Sequence, residues 1–133
     1  MEAQDVEFVA RVVAEGFFYS LEHVVGKSRV EDFILLNISW LSRSAHLWNT
    51  IYVALYEGRL AGAVMIKFQG DKLGCMSWAL RTSRLGAAEC FVDKVCVTAE
   101  YRGRGIGKAL VERAETAARE RGCTDWYNME KQL

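Results

Sequence analysis

Residues 95–109 read VCVTAEYRGRGIGKA, from Val95 to Ala109, and the fold turns on them. A hydrophobic strand pattern, Cys90 to Val97, passes through a turn holding Gly103, Gly105 and Gly107 and leads directly into a helical pattern, Gly105 to Arg121. In that helix Ile106, Ala109, Leu110, Ala114, Ala117 and Ala118 share one face. Glu112, Arg113, Glu115, Arg119 and Glu120 share the other, and Gly122 stops the run. Glycine permits positive φ and removes the Cβ atoms that would keep a ligand off the backbone. The first turn of a helix offers unpaired N–H donors and the positive end of the dipole. Arg102, Arg104 and Lys108 add positive charge, and no acid lies between Tyr101 and Val111. Amides wrapped in this way cradle phosphate.

Two other glycine-rich loops fail on these residues. The dinucleotide pattern G-x-G-x-x-G meets Lys108 when started at Gly103 and Leu110 when started at Gly105. A Walker loop needs glycine where Arg102 stands and Ser or Thr where Ala109 stands.

Upstream of the loop, Ile51 to Tyr56 is rich in β-formers, Glu57-Gly58 turns the chain, and Arg59 to Phe68 returns, which predicts a hairpin with Gly58 at positive φ. Gln69 to Ala88 carries Gly70, Gly74 and Gly86 and is expected to form a loop-like excursion, with Cys75 to Leu85 as a short helix or irregular segment. Further back, Val6, Val9, Ala10, Val13 and Phe17 recur at helical spacing, predicting a helix from about Asp5 to Glu15 stopped by Gly16. Ser28-Arg29-Val30-Glu31 has capping-box spacing and predicts a second helix with Val30, Phe33, Ile34, Ile38 and Leu41 inward. Downstream, Cys123 to Met129 reads as a final strand. The resulting order is helix, helix, strand, strand, strand, helix, strand: an antiparallel meander followed by a parallel crossover in a mixed α/β sheet.

The 133 residues fit one domain, and 51% hydrophobic content supports a core and excludes disorder. Lys+Arg 17 against Asp+Glu 17 argues against a general grip on nucleic acid or anionic lipid, so an anion site must be local. Apolar runs such as Ala61 to Ile66 are far short of the ~20 residues of a membrane helix. No secretory signal follows the acidic N-terminus, and a cytoplasmic location is expected. Cys75, Cys90, Cys96 and Cys123 form no C-x-x-C pair and lie far from His23 and His46, so buried free thiols are expected and no metal. Trp40, Trp48 and Trp78 read as core residues, with an apolar slot as the alternative.

Arg102-Gly103-Arg104-Gly105-Ile106-Gly107 matches R/Q-x-x-G-x-G/A, and here the sequence resembles the GNAT superfamily, the Gcn5-related N-acetyltransferases. Phe91 to Leu110 resembles that family's fourth strand, pyrophosphate loop and third helix, and Val53 to Val64 its second and third strands. The likeness spans about Asp5 to Met129 of one N-acetyltransferase-like domain over residues 1–133. It implies a central mixed sheet with antiparallel N-terminal strands, a β-α-β acyl-CoA-binding unit and two N-terminal helices. By that resemblance the family's opening strand, last helix and last two strands are not found in this sequence, and a chain shortened at both ends is the expectation.

The resemblance further implies transfer of an acetyl or acyl group from acetyl-CoA to a primary amine by direct attack. The backbone of Val95, Cys96 and Val97 would pair with the pantetheine arm, an amide near Val95 would face the thioester oxygen, and Arg102 to Lys108 would bind the diphosphate. Members often place an acid two residues before the pantetheine-pairing stretch, where Asp93 stands. Glu89 is the alternative base, and a strand-edge carboxylate paired with a cation is the other role for Asp93. On a regular strand Phe91, Asp93 and Val95 share one face. Ala99 replaces the family's proline, and neither Tyr101 nor Tyr127 stands where its general-acid tyrosine would. A second reading stays open, a non-catalytic acyl-CoA-binding or protein-interaction module. An open sheet edge after Met129 predicts pairing with a second copy.

Overall fold

The computed structural model describes residues 1–18, 27–69, 71 and 85–128. Helix α1 (Val6–Phe18) follows a 3-10 turn at Ala3–Asp5, and α2 (Lys27–Arg43) follows α1. A 3-10 segment, Ala45–Thr50, leads into strands β1 (Ile51–Tyr56) and β2 (Arg59–Phe68). Then come β3 (Glu89–Val97), a 3-10 turn at Ala99–Tyr101, α3 (Ile106–Glu120) and β4 (Asp125–Asn128). The strands form one sheet in the order β1-β2-β3-β4. The first two pairings are antiparallel and β3–β4 is parallel, with α3 as the crossover, so the predicted mixed sheet is found.

Two apolar clusters hold the layers together. On one face, Val9, Ala10 and Val13 of α1 and Ile34 and Leu41 of α2 pack on Ile51, Ala63, Met65 and Cys96. On the other, Ile106, Leu110, Ala114, Ala117 and Ala118 of α3 pack on Ala61, Val64, Ile66, Cys90 and Val92. Leu110 is 3% exposed, and burying a leucine side chain contributes about 1.5–3 kcal/mol. α3 ends in a Schellman arrangement. Gly122, at φ 80°, donates to the Arg119 carbonyl (2.9 Å), and Cys123 donates to that of Ala118 (2.9 Å).

The hairpin matches its prediction and adds a detail. Glu57 (φ 50°) and Gly58 (φ 78°) are both left-handed, the geometry that suits the twist of a two-residue turn. The helices differ from prediction at their ends. α1 runs through Gly16 to Phe18, because an internal glycine costs only about 1 kcal/mol against the packing of a whole helix. α2 includes Lys27 and Ser28, so Ser28 is not its N-cap. Glu31 meets Arg11 of α1 at 3.2 Å instead of reaching back along its own helix. Trp48 packs on the first cluster and donates Nε1–H to the Leu41 carbonyl (2.8 Å), the core role of the two considered. Cys75, Trp78 and most of the 69–88 excursion, residues 70 and 72–84, lie outside the described residues.

The register between β2 and β3 slips. Ala63 faces Cys96 and Met65 faces Asp93, so three steps on β3 oppose two on β2. This bulge reverses the alternation of side chains. Cys90 and Val92 lie in the α3-side cluster, Val95 and Val97 pack against that same cluster, and Cys96 lies in the opposite one. Val95 therefore does not keep the odd-numbered face expected for Phe91, Asp93 and Val95. No helix among the described residues is long and apolar enough to cross a membrane.

Candidate functional site

The end of β3 is pinned before the loop begins. Val97 stands opposite Gly62, and Thr98 donates to the Ala61 carbonyl at 2.9 Å. The turn at Ala99–Tyr101 closes through Tyr101 N–H to the Thr98 carbonyl (3.0 Å) and Arg102 N–H to that of Ala99 (3.4 Å). Gly103 (φ 80°) and Gly105 (φ 76°) then take left-handed conformations that L side chains resist. The first helical bond runs from Ala109 N–H to the Gly105 carbonyl at 3.1 Å.

The amides from Gly103 to Lys108 donate to no acceptor among the described residues. Gly105, the N-cap, brings no side chain to them, and the first turn holds no acid. A Cβ on Gly103 or Gly105 would meet nothing within 4 Å, so open space lies at both glycines. A row of N–H groups without acceptors at a helix start carries the partial positive charge that favours an anion.

The cations around it are arranged individually. Arg102 donates Nε–H to the Val97 carbonyl at 3.1 Å. Arg104 donates from NH1 to the Tyr56 hydroxyl at 3.2 Å, with its guanidinium carbon 5.1 Å from that ring's centroid. Lys108 is exposed. Two of the three acids of α3 pair further down the helix, Glu115 with Arg119 and Glu120 with Arg113, each at 3.9 Å.

β3 itself carries the other expected residues. Its described pairing with β4 ends at Val92↔Asn128, whereas the strand continues to Val97. Val95, Cys96 and Val97 thus connect the bulge to the loop. Asp93 sits at the bulge, paired with Met65. Glu89 begins the strand, about 20 Å from Val95 at ~3.3 Å per residue, and its Oε1 accepts the Gly86 N–H at 2.8 Å. A cavity of about 730 Å³ opens beside the loop, with Phe8, Glu15, Val30, Leu60, Thr98 and Tyr101 among its lining. The Thr98 hydroxyl is buried with no partner among the described residues.

Cys90, Cys96 and Cys123 are buried and form no disulfide, as expected. Burial first, and Cys123 second, push the Cys90 thiol up to about 12. Sequence reasoning missed Tyr56 and Gly62. Tyr56 is 48 residues from Arg104 and nothing local marks it. Gly62, a lone glycine inside a strand pattern, carried the signal of a close backbone approach.

A model of the acetyltransferase (GNAT) family matches residues 17–130. A glucosamine 6-phosphate N-acetyltransferase of Trypanosoma brucei brucei is 26% identical over 122 residues, which cover 89% of this chain and 76% of that protein. Among solved structures, a GCN5-related N-acetyltransferase from Ralstonia eutropha JMP134 superposes with a TM-score of 0.64 at 22% identity, covering 96% of this chain and 78% of that one. The PaiA N-acetyltransferase of Thermoplasma acidophilum, in complex with coenzyme A, gives 0.59 at 18% identity, covering 92% and 70%.

Proposed function

Because the chain belongs to the GNAT acetyltransferase family, we propose that it transfers an acetyl or acyl group from acyl-CoA to a primary amine by direct attack. The observation that carries this is the run of amides from Gly103 to Lys108, which lack acceptors among the described residues and lie among three cations, with open space at Gly103 and Gly105. Two left-handed glycines, unsatisfied donors and local positive charge together fit a diphosphate. The acyl-CoA would lie with its diphosphate on Arg102, Gly103, Arg104, Gly105, Ile106, Gly107 and Lys108 and its pantetheine arm along Val95, Cys96 and Val97.

The amine lone pair forms the new C–N bond, the C–S bond breaks, and CoA leaves as a thiolate that takes up a proton. An N–H near Val95 opposes the charge that grows on the thioester oxygen, a contribution of roughly 3 kcal/mol when well placed. The amine must lose a proton, and Asp93, at the bulge two residues before Val95, is the base in this reading. Glu89 is the second candidate, and its bond to Gly86 favours a loop-holding role. The acceptor would enter by the cavity beside the loop. An amino sugar is one acceptor class to try, since the Trypanosoma relative is named for glucosamine 6-phosphate.

Thermal melting with acetyl-CoA tests the reading. At 100 times Kd the ligand adds about 2.7 kcal/mol, a rise in Tm on the order of 10 °C. Release of free thiol with a panel of amines then tests chemistry. No shift in Tm overturns the proposal. A shift with no thiol release from any amine leaves a CoA-binding module in place of an enzyme.

A further inference from the structure

We propose that Tyr56 is a positioning residue that presets Arg104 for a phosphate monoester beyond the diphosphate, namely the phosphate on the ribose of CoA. This rests on reading the Gly103–Lys108 amides as the diphosphate site. Tyr56 is the last residue of β1, followed at once by the two-residue turn at Glu57-Gly58, so its backbone is held by the hairpin. Its hydroxyl accepts from Arg104 at 3.2 Å, its ring lies under the guanidinium at 5.1 Å, and the Tyr101 ring backs it at 5.5 Å between centroids, tilted 47°.

Every partner in this arrangement is neutral. A phenol oxygen and a ring face fix where a guanidinium lies without cancelling its charge. Arg104 makes no ion pair among the described residues, in contrast to Arg11, Arg113 and Arg119, each of which faces a glutamate. A carboxylate at the position of Tyr56 would hold the arginine as firmly and would repel a phosphate. The amides of the loop can serve the two phosphates of a diphosphate. Arg104 stands at the edge of that row, displaced toward the hairpin tip, with its charge available to a third. A planar, always-charged fork is the group best suited to such a phosphate.

Calorimetric titration of the full chain with CoA and with dephospho-CoA, which differ only in that phosphate, tests the proposal. The expected result is about fivefold tighter binding of CoA, a size suited to an exposed charge-assisted contact. That ratio falls toward one in Arg104→Gln and in Tyr56→Ala. Tyr56→Phe, which keeps the ring and loses the hydroxyl, retains part of it. The ratio in the unsubstituted chain also shrinks as salt is raised. Equal affinity for the two ligands in the unsubstituted chain, or a ratio that survives Arg104→Gln, overturns this proposal and leaves the diphosphate site standing. A ratio lost in Arg104→Gln and kept in Tyr56→Ala removes the role of Tyr56. Failure of both ligands to bind overturns the diphosphate reading and this one with it.

Discussion

Gly62 of β2 approaches β3 so closely that a Cβ on it would stand 2.7 Å from the Cys96 carbonyl oxygen. The same atom would lie 3.1 Å from Cδ1 of Leu110. The carbonyl is backbone and cannot swing aside, so even a methyl group must part the strands where β3 runs into the glycine loop. Gly62→Ala is expected to destabilise the protein by about 1–3 kcal/mol, read by urea unfolding. It should also weaken acetyl-CoA binding. An unchanged urea midpoint would show that the strands separate freely.

Gly105 presents the opposite case, open space and a demanding φ of 76°. Gly105→Asn, whose side chain tolerates the left-handed region, should fold and keep its thermal shift with acetyl-CoA. Gly105→Glu should fold with a loss of about 1–2 kcal/mol from backbone strain and give no shift, because a carboxylate then competes for the amides. Normal binding by folded Gly105→Glu would remove the loop from the diphosphate site.

The two carboxylates on β3 separate by their pH profiles. If Asp93 takes the amine proton, Asp93→Asn lowers turnover by about 100-fold or more and abolishes the fall in rate on the acid side. Glu89→Gln keeps an oxygen to accept the Gly86 N–H and should hold most of its activity at every pH. The reverse pattern would move the base to Glu89.

Cys90 links the core to alkaline stability. Its thiol is pushed from 9.0 up to about 12 by burial and by Cys123, so the native protein keeps a proton that the unfolded chain releases. Unfolding is therefore favoured as pH rises past the unfolded value. The contribution is whole below about pH 9 and is lost progressively toward pH 12. Urea midpoints from pH 8 to 10.5 should fall less steeply in Cys90→Ala, although that variant starts lower by about 1 kcal/mol for its cavity. Parallel slopes would remove Cys90 as the source.

The hairpin, the α3 stripe and the glycine loop were all legible before the structure because each is a local pattern. Ile51 to Phe68 is two β-forming runs about a two-residue turn, Ile106 to Ala118 repeats at helical spacing, and Gly103, Gly105 and Gly107 stand together with their cations. Capping at Ser28 was not legible, because Glu31 had a competing partner in Arg11, 20 residues away. The face of Val95 was not legible either, since strand parity assumes an unbroken ladder and the bulge opposite Ala63 and Met65 breaks it.

From its amino acids alone this chain shows a mixed sheet and a strand–loop–helix unit with three glycines and three cations at its turn, since φ preference, periodicity and charge act over a few neighbouring residues. Which face each β3 side chain takes, how tightly Gly62 meets Cys96 and where Arg104 lies were decided by tertiary structure. Those features depend on strand register and on contacts between residues tens of positions apart, and no local pattern encodes either.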